Sequence, residues 1–129
     1  MKILRLLLTD ESQINQKLGR KMLASLKYEV KLADDGEEAV EQIKKLDATI
    51  DVILMDQSMP RKDGVTATKE IRAMEAAGIL SRRRPIIAVT AAVNNEARAL
   101  FKAAGADDFL PKPLSLAKLE EVLATYSPT

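Results

Sequence analysis

Short apolar runs alternate five times with longer segments in which apolar residues recur every three or four positions. The short runs have the length of buried strands, whereas the longer segments have the spacing of amphipathic helices. This alternation predicts a parallel sheet covered by helices on both faces, because parallel strands need a crossover between them. The predicted strands are residues 3–9, 28–33, 51–56, 85–90 and 107–110, and the predicted helices are residues 12–27, 36–46, 65–77, 95–104 and 115–126.

Five strands in 129 residues favour an α/β fold with the doubly wound, flavodoxin-like strand order 2-1-3-4-5. This order is taken from known proteins of that architecture, because residue spacing alone does not fix it. Neither a repeat nor a linker interrupts the pattern, so residues 1–129 are expected to form a single domain. Ser12 and Ser115 are predicted to cap helices, and Gly78 and Gly105 are predicted to follow helix ends.

The sequence contains neither cysteine nor histidine, which excludes disulfides, thiolate metal sites and a phosphohistidine on this chain. Twenty basic residues nearly balance nineteen acidic ones, and the one compact basic run, residues 82–84, has only three arginines. This balance and the shortness of the run argue against nucleic-acid binding. No apolar run approaches the roughly 20 residues of a membrane span, and the amino terminus lacks a signal-peptide pattern. A cytoplasmic protein without membrane contact is therefore expected.

Polar residues end or follow four of the five predicted strands. In an open α/β sheet, the carboxyl ends of the strands line the ligand-binding crevice. We therefore expect these side chains to lie along one edge of the sheet, although they are distant in the sequence. They are Thr9, Asp10 and Glu11 for the first strand, Asp56 for the third, Thr90 for the fourth and Lys112 for the fifth.

Carboxylates brought together in this way repel each other unless a cation or a proton neutralises them. Their hard oxygen atoms suit Mg²⁺ or Mn²⁺, and the sequence offers no soft ligand. A metal ion, a lysine and a hydroxyl group form a usable set for phosphoryl transfer, because they neutralise charge on the transferring group. An aspartate in this setting could act as the nucleophile and form an acyl phosphate.

Four segments carry a resemblance to a known family. They are residues 7–11 (LLTDE), 51–64 (DVILMDQSMPRKDG), 85–91 (PIIAVTA) and 105–113 (GADDFLPKP). With these segments in this order, the chain resembles response-regulator receiver domains along nearly its whole length. Residues 55–60, followed by Asp63 and Gly64, look most similar to the receivers of hybrid histidine kinases. The resemblance implies a receiver in a two-component phosphorelay, with a histidine kinase or histidine phosphotransfer protein as donor and a downstream effector protein as target.

The resemblance assigns a role to each matching residue of the expected site. Asp56 would be the phosphoacceptor, and Lys112 would pair first with Asp56 and then with the phosphoryl group. Asp10, Glu11 and Asp56 would hold Mg²⁺, with the backbone carbonyl of Ser58 as a further ligand. The chain would then be a signalling phosphoacceptor that assists its own phosphorylation and dephosphorylation, and not an enzyme in the usual sense.

A switch is also implied by the resemblance. Thr90 would hydrogen-bond a phosphoryl oxygen, and the ring of Phe109 would change position when Thr90 moves. The surface of the fourth and fifth βα units would change with it. The family often has tyrosine at this switch position, so Phe109 lacks the hydroxyl group that could hydrogen-bond in the active state. The bond between Lys112 and Pro113 is often cis in the family.

Glu11 is the main departure, because the family usually has a second aspartate there. Its extra methylene group can shift the metal or lead to binding through water. A degenerate receiver that only docks to proteins, without phosphorylation, is therefore an alternative. A magnesium-dependent phosphatase of the haloacid-dehalogenase type would need an aspartate at Ser58, and a flavodoxin would need a phosphate-binding loop where Asp10 and Glu11 lie.

Two residues of the first predicted helix have open interpretations. Asn15 lies four residues after Glu11, so it is expected either at the same edge or in solvent. Gly19 in the middle of a helix costs about 1 kcal/mol relative to alanine. It either allows the close approach of a partner helix or is simply tolerated.

Overall fold

The chain forms a five-stranded parallel sheet, seen in a computed structural model that describes residues 3–57, 59, 61–91 and 95–126. The strands are β1 (Arg5–Thr9), β2 (Glu29–Ala33), β3 (Val52–Asp56), β4 (Ile86–Ala91) and β5 (Asp108–Lys112). The helices are α1 (Gln13–Ser25), α2 (Gly36–Lys45), α3 (Gly64–Ala76), α4 (Asn95–Ala104) and α5 (Leu116–Ala124), with a 3₁₀ turn at Asp47–Thr49. The order β2-β1-β3-β4-β5 confirms the predicted fold class and strand order.

Two apolar cores lie on opposite faces of the sheet, because alternate side chains of a strand point to opposite faces. One core includes Ile53 and Phe101 and packs against α2, α3 and α4, and the other includes Leu54 and Leu119 and packs against α1 and α5. All five residues of β3 are buried, as its apolar sequence predicts for a central strand. In the described part of the chain, no helix is long and apolar enough to cross a membrane.

Element boundaries agree with the predicted ones to within two residues, and those of α4 agree at both ends. α1 ends at Ser25 because Lys27 has a positive φ of 69°, which a right-handed helix cannot continue. β5 runs to Lys112, further than predicted, because its pairing with β4 continues to that residue. Gly78 and Gly105 follow α3 and α4 with φ of 77° and 110°, as predicted.

Side-chain caps fix the points at which α1, α3 and α5 begin. Ser12 and Ser115 accept hydrogen bonds from backbone N–H groups three residues later, as predicted. Asp63 does the same for α3, at 2.8 Å from the N–H of Thr66. Each cap satisfies an N–H group that would otherwise lack a partner in the first turn. The three helices therefore start at defined positions after β1, β3 and β5.

A buried carboxylate joins three segments at the amino-terminal edge of the sheet. Asp51 accepts hydrogen bonds from the backbone N–H of Arg5 at 2.9 Å, from its Nε at 3.1 Å and from Arg82 at 2.9 Å. We call Arg5, Asp51 and Arg82 the basal ion cluster. Burial opposes ionisation of Asp51, but the hydrogen bonds from the two arginines outweigh it and hold the pKa of this carboxyl far below its usual range.

Replacing Asp51 by asparagine is expected to lower the free energy of unfolding by about 2 kcal/mol near neutral pH, because hydrogen bonds to a charged group are lost. A carboxyl group whose pKa is lowered by folding stabilises the fold above its unfolded value of 3.8 and loses that contribution as the pH falls toward the folded value. The difference between Asp51→Asn and wild type should therefore shrink in acid. Denaturant unfolding at neutral and acidic pH measures it, with exposed Glu120→Gln as the control. A difference that persists unchanged into strong acid would contradict this role.

Candidate functional site

The carboxyl-terminal edge of the sheet holds four of the residues that the sequence predicts for the site. Asp56 is the last residue of β3, Lys112 is the last residue of β5, and Thr90 is the penultimate residue of β4. Asp10 directly follows β1. The parallel register of β1, β3, β4 and β5 aligns these ends, so residues separated by up to about a hundred positions lie at one edge.

Asp56 is almost fully buried and forms an ion pair with Lys112. Its Oδ1 lies 2.5 Å from Lys112 Nζ and accepts a hydrogen bond from the N–H of Gln57 at 2.9 Å. The aspartate side chain is 3% exposed and the lysine side chain 37%, so solvent reaches the pair from the lysine. Burial raises the pKa of the Asp56 carboxyl above its ordinary value, and the charge of Asp10 adds to this against the opposing effect of Lys112. A further cation would relieve this electrostatic strain.

Asp10 is the second buried acid at this edge, with an exposed fraction of 7%. Its Oδ1 accepts a hydrogen bond from the N–H of Ser12 at 2.9 Å, immediately before α1. Its backbone carbonyl accepts a hydrogen bond from Nε2 of Gln16 at 2.7 Å, and the same amide reaches Asp34 at 2.8 Å. These contacts hold Asp10 near enough to Asp56 for the two negative charges to interact.

The atoms at this edge that could bind a metal ion are oxygen atoms. Glu11 is exposed, and the predicted Ser58 carbonyl ligand lies outside the described residues. Among the residues that are described, no three acidic side chains lie close enough together to form a metal site by themselves. Asp10 and Asp56 nevertheless fit Mg²⁺ or Mn²⁺, because Mg²⁺ is usually bound through one or two carboxylates and keeps several of its waters. Burial is the main cause of the raised pKa of Asp56, and a bound cation would favour the ionised carboxylate.

The two residues of the predicted switch line one cavity. Thr90 is buried, and its hydroxyl group donates to the backbone carbonyl of Ala91 at 3.2 Å. A cavity of about 300 Å³ is lined by Thr90, Phe109 and residues of α4 and α5. Phe109 is partly buried and packs against the core beside α2, α3 and α4. Thr90 therefore belongs both to the edge that holds Asp56 and to this cavity.

A groove of about 280 Å³ leads from the same edge along α1. Asp10 and Lys112 line it together with Asn15, so Asn15 lies beside the site and not in open solvent alone. Gly19 also lines the groove, and a Cβ atom there would lie 2.7 Å from Cδ2 of Leu8. The glycine therefore leaves room for the end of the Leu8 side chain where α1 packs on β1, a flexible group that would have to shift to accept an alanine. The peptide bond between Lys112 and Pro113 is cis.

Three further residues support the two buried acids; the sequence predicts the position of Thr9 at this edge but assigns none of the three a role. Thr9 Oγ1 accepts a hydrogen bond from the N–H of Asp56 at 3.1 Å and donates to a β3 carbonyl at 2.9 Å. Gly64 packs against the backbone of Asp56, since a Cβ atom at this position would be 1.9 Å from the carbonyl oxygen of Asp56. Gln16 is buried and fixes the backbone before α1. The Asp-Gly pair before α3 is a sequence signal for Gly64, whereas Thr9 and Gln16 act through contacts that no local pattern reveals.

Comparison with known proteins matches this geometry to one family. The family model described as response regulator receiver domain matches residues 6–124. The two-component response regulator ORR41 of Oryza sativa subsp. japonica is 39% identical over 130 residues, which cover 97% of this chain and 95% of that protein. Hybrid signal transduction histidine kinase G of Dictyostelium discoideum is 39% identical over 127 residues, which cover 97% of this chain and only 4% of that protein.

Two solved structures are similar over nearly the whole chain. The receiver domain of sensor histidine kinase PA1611 from Pseudomonas aeruginosa PAO1, with a magnesium ion coordinated in its active site cleft, has a TM-score of 0.84 and 38% identity, covering 97% of this chain and 98% of that one. The co-crystal structure of the Saccharomyces cerevisiae histidine phosphotransfer protein Ypd1 with the receiver domain of Ssk1 gives a TM-score of 0.85 at 27% identity, covering 96% and 88%.

Proposed function

Because the chain belongs to the response regulator receiver domain family of two-component signalling, we propose that Asp56 accepts a phosphoryl group from a phosphohistidine. The sequence contains no histidine, so the phosphohistidine must lie on another domain or protein. A histidine kinase or a histidine phosphotransfer protein is the proposed donor, and the complex of Ypd1 with the Ssk1 receiver is a precedent for such a pairing. The proposed location is the cytoplasm.

The observation that carries this proposal is the buried carboxylate of Asp56 at 2.5 Å from Lys112, close to a second buried acid. In the proposed reaction, a carboxylate oxygen of Asp56 attacks phosphorus while the bond from phosphorus to the donor imidazole nitrogen breaks. The electron pair of that bond stays on the imidazole, which then takes a proton or is already protonated on its other nitrogen. Lys112 offsets the negative charge of the phosphoryl oxygens during transfer.

Asp10, Glu11 and Asp56, with the Ser58 carbonyl, are the proposed ligands of Mg²⁺ or Mn²⁺. When bound, the metal supplies positive charge that neutralises the transferring phosphoryl oxygens. Asp10 is held for this role by the hydrogen bonds to Ser12 and Gln16, which orient its carboxylate and backbone. Glu11 is exposed, which supports an indirect contact of its carboxylate with the metal ion through a water molecule.

Thr90 and Phe109 are the proposed link between phosphorylation and a downstream effector protein. The phosphoryl group adds negative charge and acceptor oxygens, and the Thr90 hydroxyl would exchange its contact with Ala91 for one of them. The cavity beside Thr90 gives the Phe109 ring room to respond. The surface formed by α4, β5 and α5 would change, and the effector would bind one of its two forms better.

A receiver that only docks to proteins is the second candidate, and the exposed position of Glu11 favours it. With Glu11 turned to solvent, two buried carboxylates remain for the metal, Asp10 and Asp56. A weak metal site would leave the phosphoryl oxygens poorly neutralised. In that case the fold would serve as a binding surface without chemistry at Asp56.

Treatment with a small phosphodonor, such as phosphoramidate, and Mg²⁺ is expected to add one phosphoryl group to the wild-type chain. Removing the metal with a chelator should slow the reaction by about a hundredfold, since the transferring charge loses its main neutralising partner. Intact-mass spectrometry follows the rate, and peptide mapping locates the group on residues 52–64. A folded chain that gains no phosphoryl group at saturating Mg²⁺ would support the docking module, and a group on any other peptide would contradict the assignment of Asp56.

A further inference from the structure

A cation–π contact joins α4 to β5 beside the proposed site. The guanidinium carbon of Arg98 lies 4.8 Å from the centre of the Phe109 ring, within the range in which an arginine is attracted to an aromatic face. Arg98 is exposed, and it makes no ion pair with any residue that the structure describes. Its main described partner is therefore the ring.

The Phe109 ring has room to leave this position. The cavity of about 300 Å³ is lined by Arg98, Phe109 and Thr90 together. A closed apolar cavity of about 150 Å³ already admits benzene, so the cavity here, which is open to solvent and partly polar, has volume enough for a phenyl ring. Because the cation is exposed, its attraction corresponds to only about a two- to fivefold bias between two ring positions. A bias of this size can hold the ring and still allow it to exchange.

We propose that Arg98 is a positioning residue: its guanidinium holds the Phe109 ring in the observed place and sets how readily the ring enters the cavity beside Thr90. The connection to phosphorylation rests on the proposed function, since Thr90 also belongs to the edge that holds Asp56. By thermodynamic linkage, a residue that favours the unphosphorylated ring position disfavours the phosphorylated state by the same factor. In this proposal the phosphodonor reacts with the form of the chain in which the ring has moved, so the rate of phosphoryl addition follows the population of that form. Arg98 therefore tunes the receiver from outside its site.

The sequence makes this testable, because it contains only two phenylalanines. Phe101 is fully buried in the core and serves as an internal reference for Phe109. With isotope-labelled phenylalanine, nuclear magnetic resonance reports both rings, and the signal lost in Phe109→Leu identifies Phe109. Arg98→Gln is expected to shift the Phe109 signal through a two- to fivefold change in population, whereas Arg98→Lys, which keeps the cation, should retain most of the wild-type position.

Lys102→Gln is the matched control, because it removes an exposed cation one turn further along α4. It should leave both ring signals unchanged. An unchanged Phe109 signal in Arg98→Gln, or an equal shift in Lys102→Gln, would overturn the role of Arg98. This comparison needs no phosphodonor, so it decides whether Arg98 positions the Phe109 ring even if Asp56 is not phosphorylated.

The link to Thr90 is decided by the rate of phosphoryl addition from the small phosphodonor. Arg98→Gln should raise this rate by about two- to fivefold, and Arg98→Lys should stay near wild type. If the ring signal responds to Arg98→Gln while the rate in all three proteins is equal, the proposed link from the ring to the site is wrong.

Discussion

Replacing Asp56 by asparagine is expected to abolish phosphoryl addition from a small phosphodonor, with a loss of more than about a hundredfold. The amide has nearly the same shape as the carboxylate, but it lacks an anionic oxygen that can attack phosphorus. Burial raises the pKa of Asp56. At a pH above that pKa, keeping the carboxylate ionised in the folded chain therefore costs folding free energy. The asparagine variant should therefore be at least as stable as wild type near neutral pH, and unfolding cannot account for the loss.

Asp63→Asn is the control for this experiment. Asp63 lies on the same loop and caps α3 through its side chain, and asparagine is an equally good cap. This variant should fold and accept a phosphoryl group at close to the wild-type rate. Intact-mass spectrometry compares the three proteins, and denaturant unfolding compares their stabilities. Labelling of Asp56→Asn at the wild-type rate would remove Asp56 from its proposed role.

Replacing Gly64 by alanine is expected to lower the free energy of unfolding by about 3 kcal/mol or more. The added Cβ atom would lie 1.9 Å from the carbonyl oxygen of Asp56 and 2.9 Å from the ring of Phe101. Neither obstacle is the end of a flexible chain, so the loop or α3 must move, and overpacking of this kind is costly. Because the obstacle is the backbone of Asp56 itself, the rate of phosphoryl addition should also fall, by about tenfold or more.

Gly78→Ala separates this steric effect from the general cost of replacing a glycine. Gly78 has a φ of 77°, and an added Cβ atom would meet nothing within 4 Å. The expected loss at Gly78 is about 1 kcal/mol, from backbone strain alone, with no change in the phosphorylation rate of the folded protein. Denaturant unfolding and intact-mass kinetics measure both effects. Equal losses for the two variants would show that the contact of Gly64 with Asp56 does not constrain the site.

The alternation of strands and helices could be predicted from the sequence because its signals are periodic, whereas the strand order came from known proteins of this architecture. The apolar run before Asp56 has the composition of a strand buried on both faces, and β3 is buried along its whole length. The meeting of Asp10, Asp56, Thr90 and Lys112 also follows from a general rule, since parallel strands present their carboxyl ends at one edge. What the rule needs is only the correct identification of strands.

The sequence could not predict how individual side chains are arranged at that edge. Glu11 follows Asp10 directly, yet Asp10 is buried and Glu11 is exposed, because the chain turns between β1 and the cap residue Ser12 and successive side chains there point in different directions. Gln16 and Arg98 look like ordinary polar helix residues, and their contacts with Asp10 and Phe109 depend on tertiary packing. The metal ligands, the phosphoacceptor role of Asp56 and the switch remain predictions that the experiments above test.

The basal ion cluster lies at the opposite end of β3 from Asp56. Asp51 precedes the strand and Asp56 ends it, so the two carboxylates are roughly 16 Å apart along an extended chain. Substitutions more than about 10 Å apart that share no partner usually act independently. Changes at Arg5, Asp51 or Arg82 are therefore expected to alter the stability of the fold without altering the rate of phosphoryl addition at Asp56, so that durability and response can vary separately.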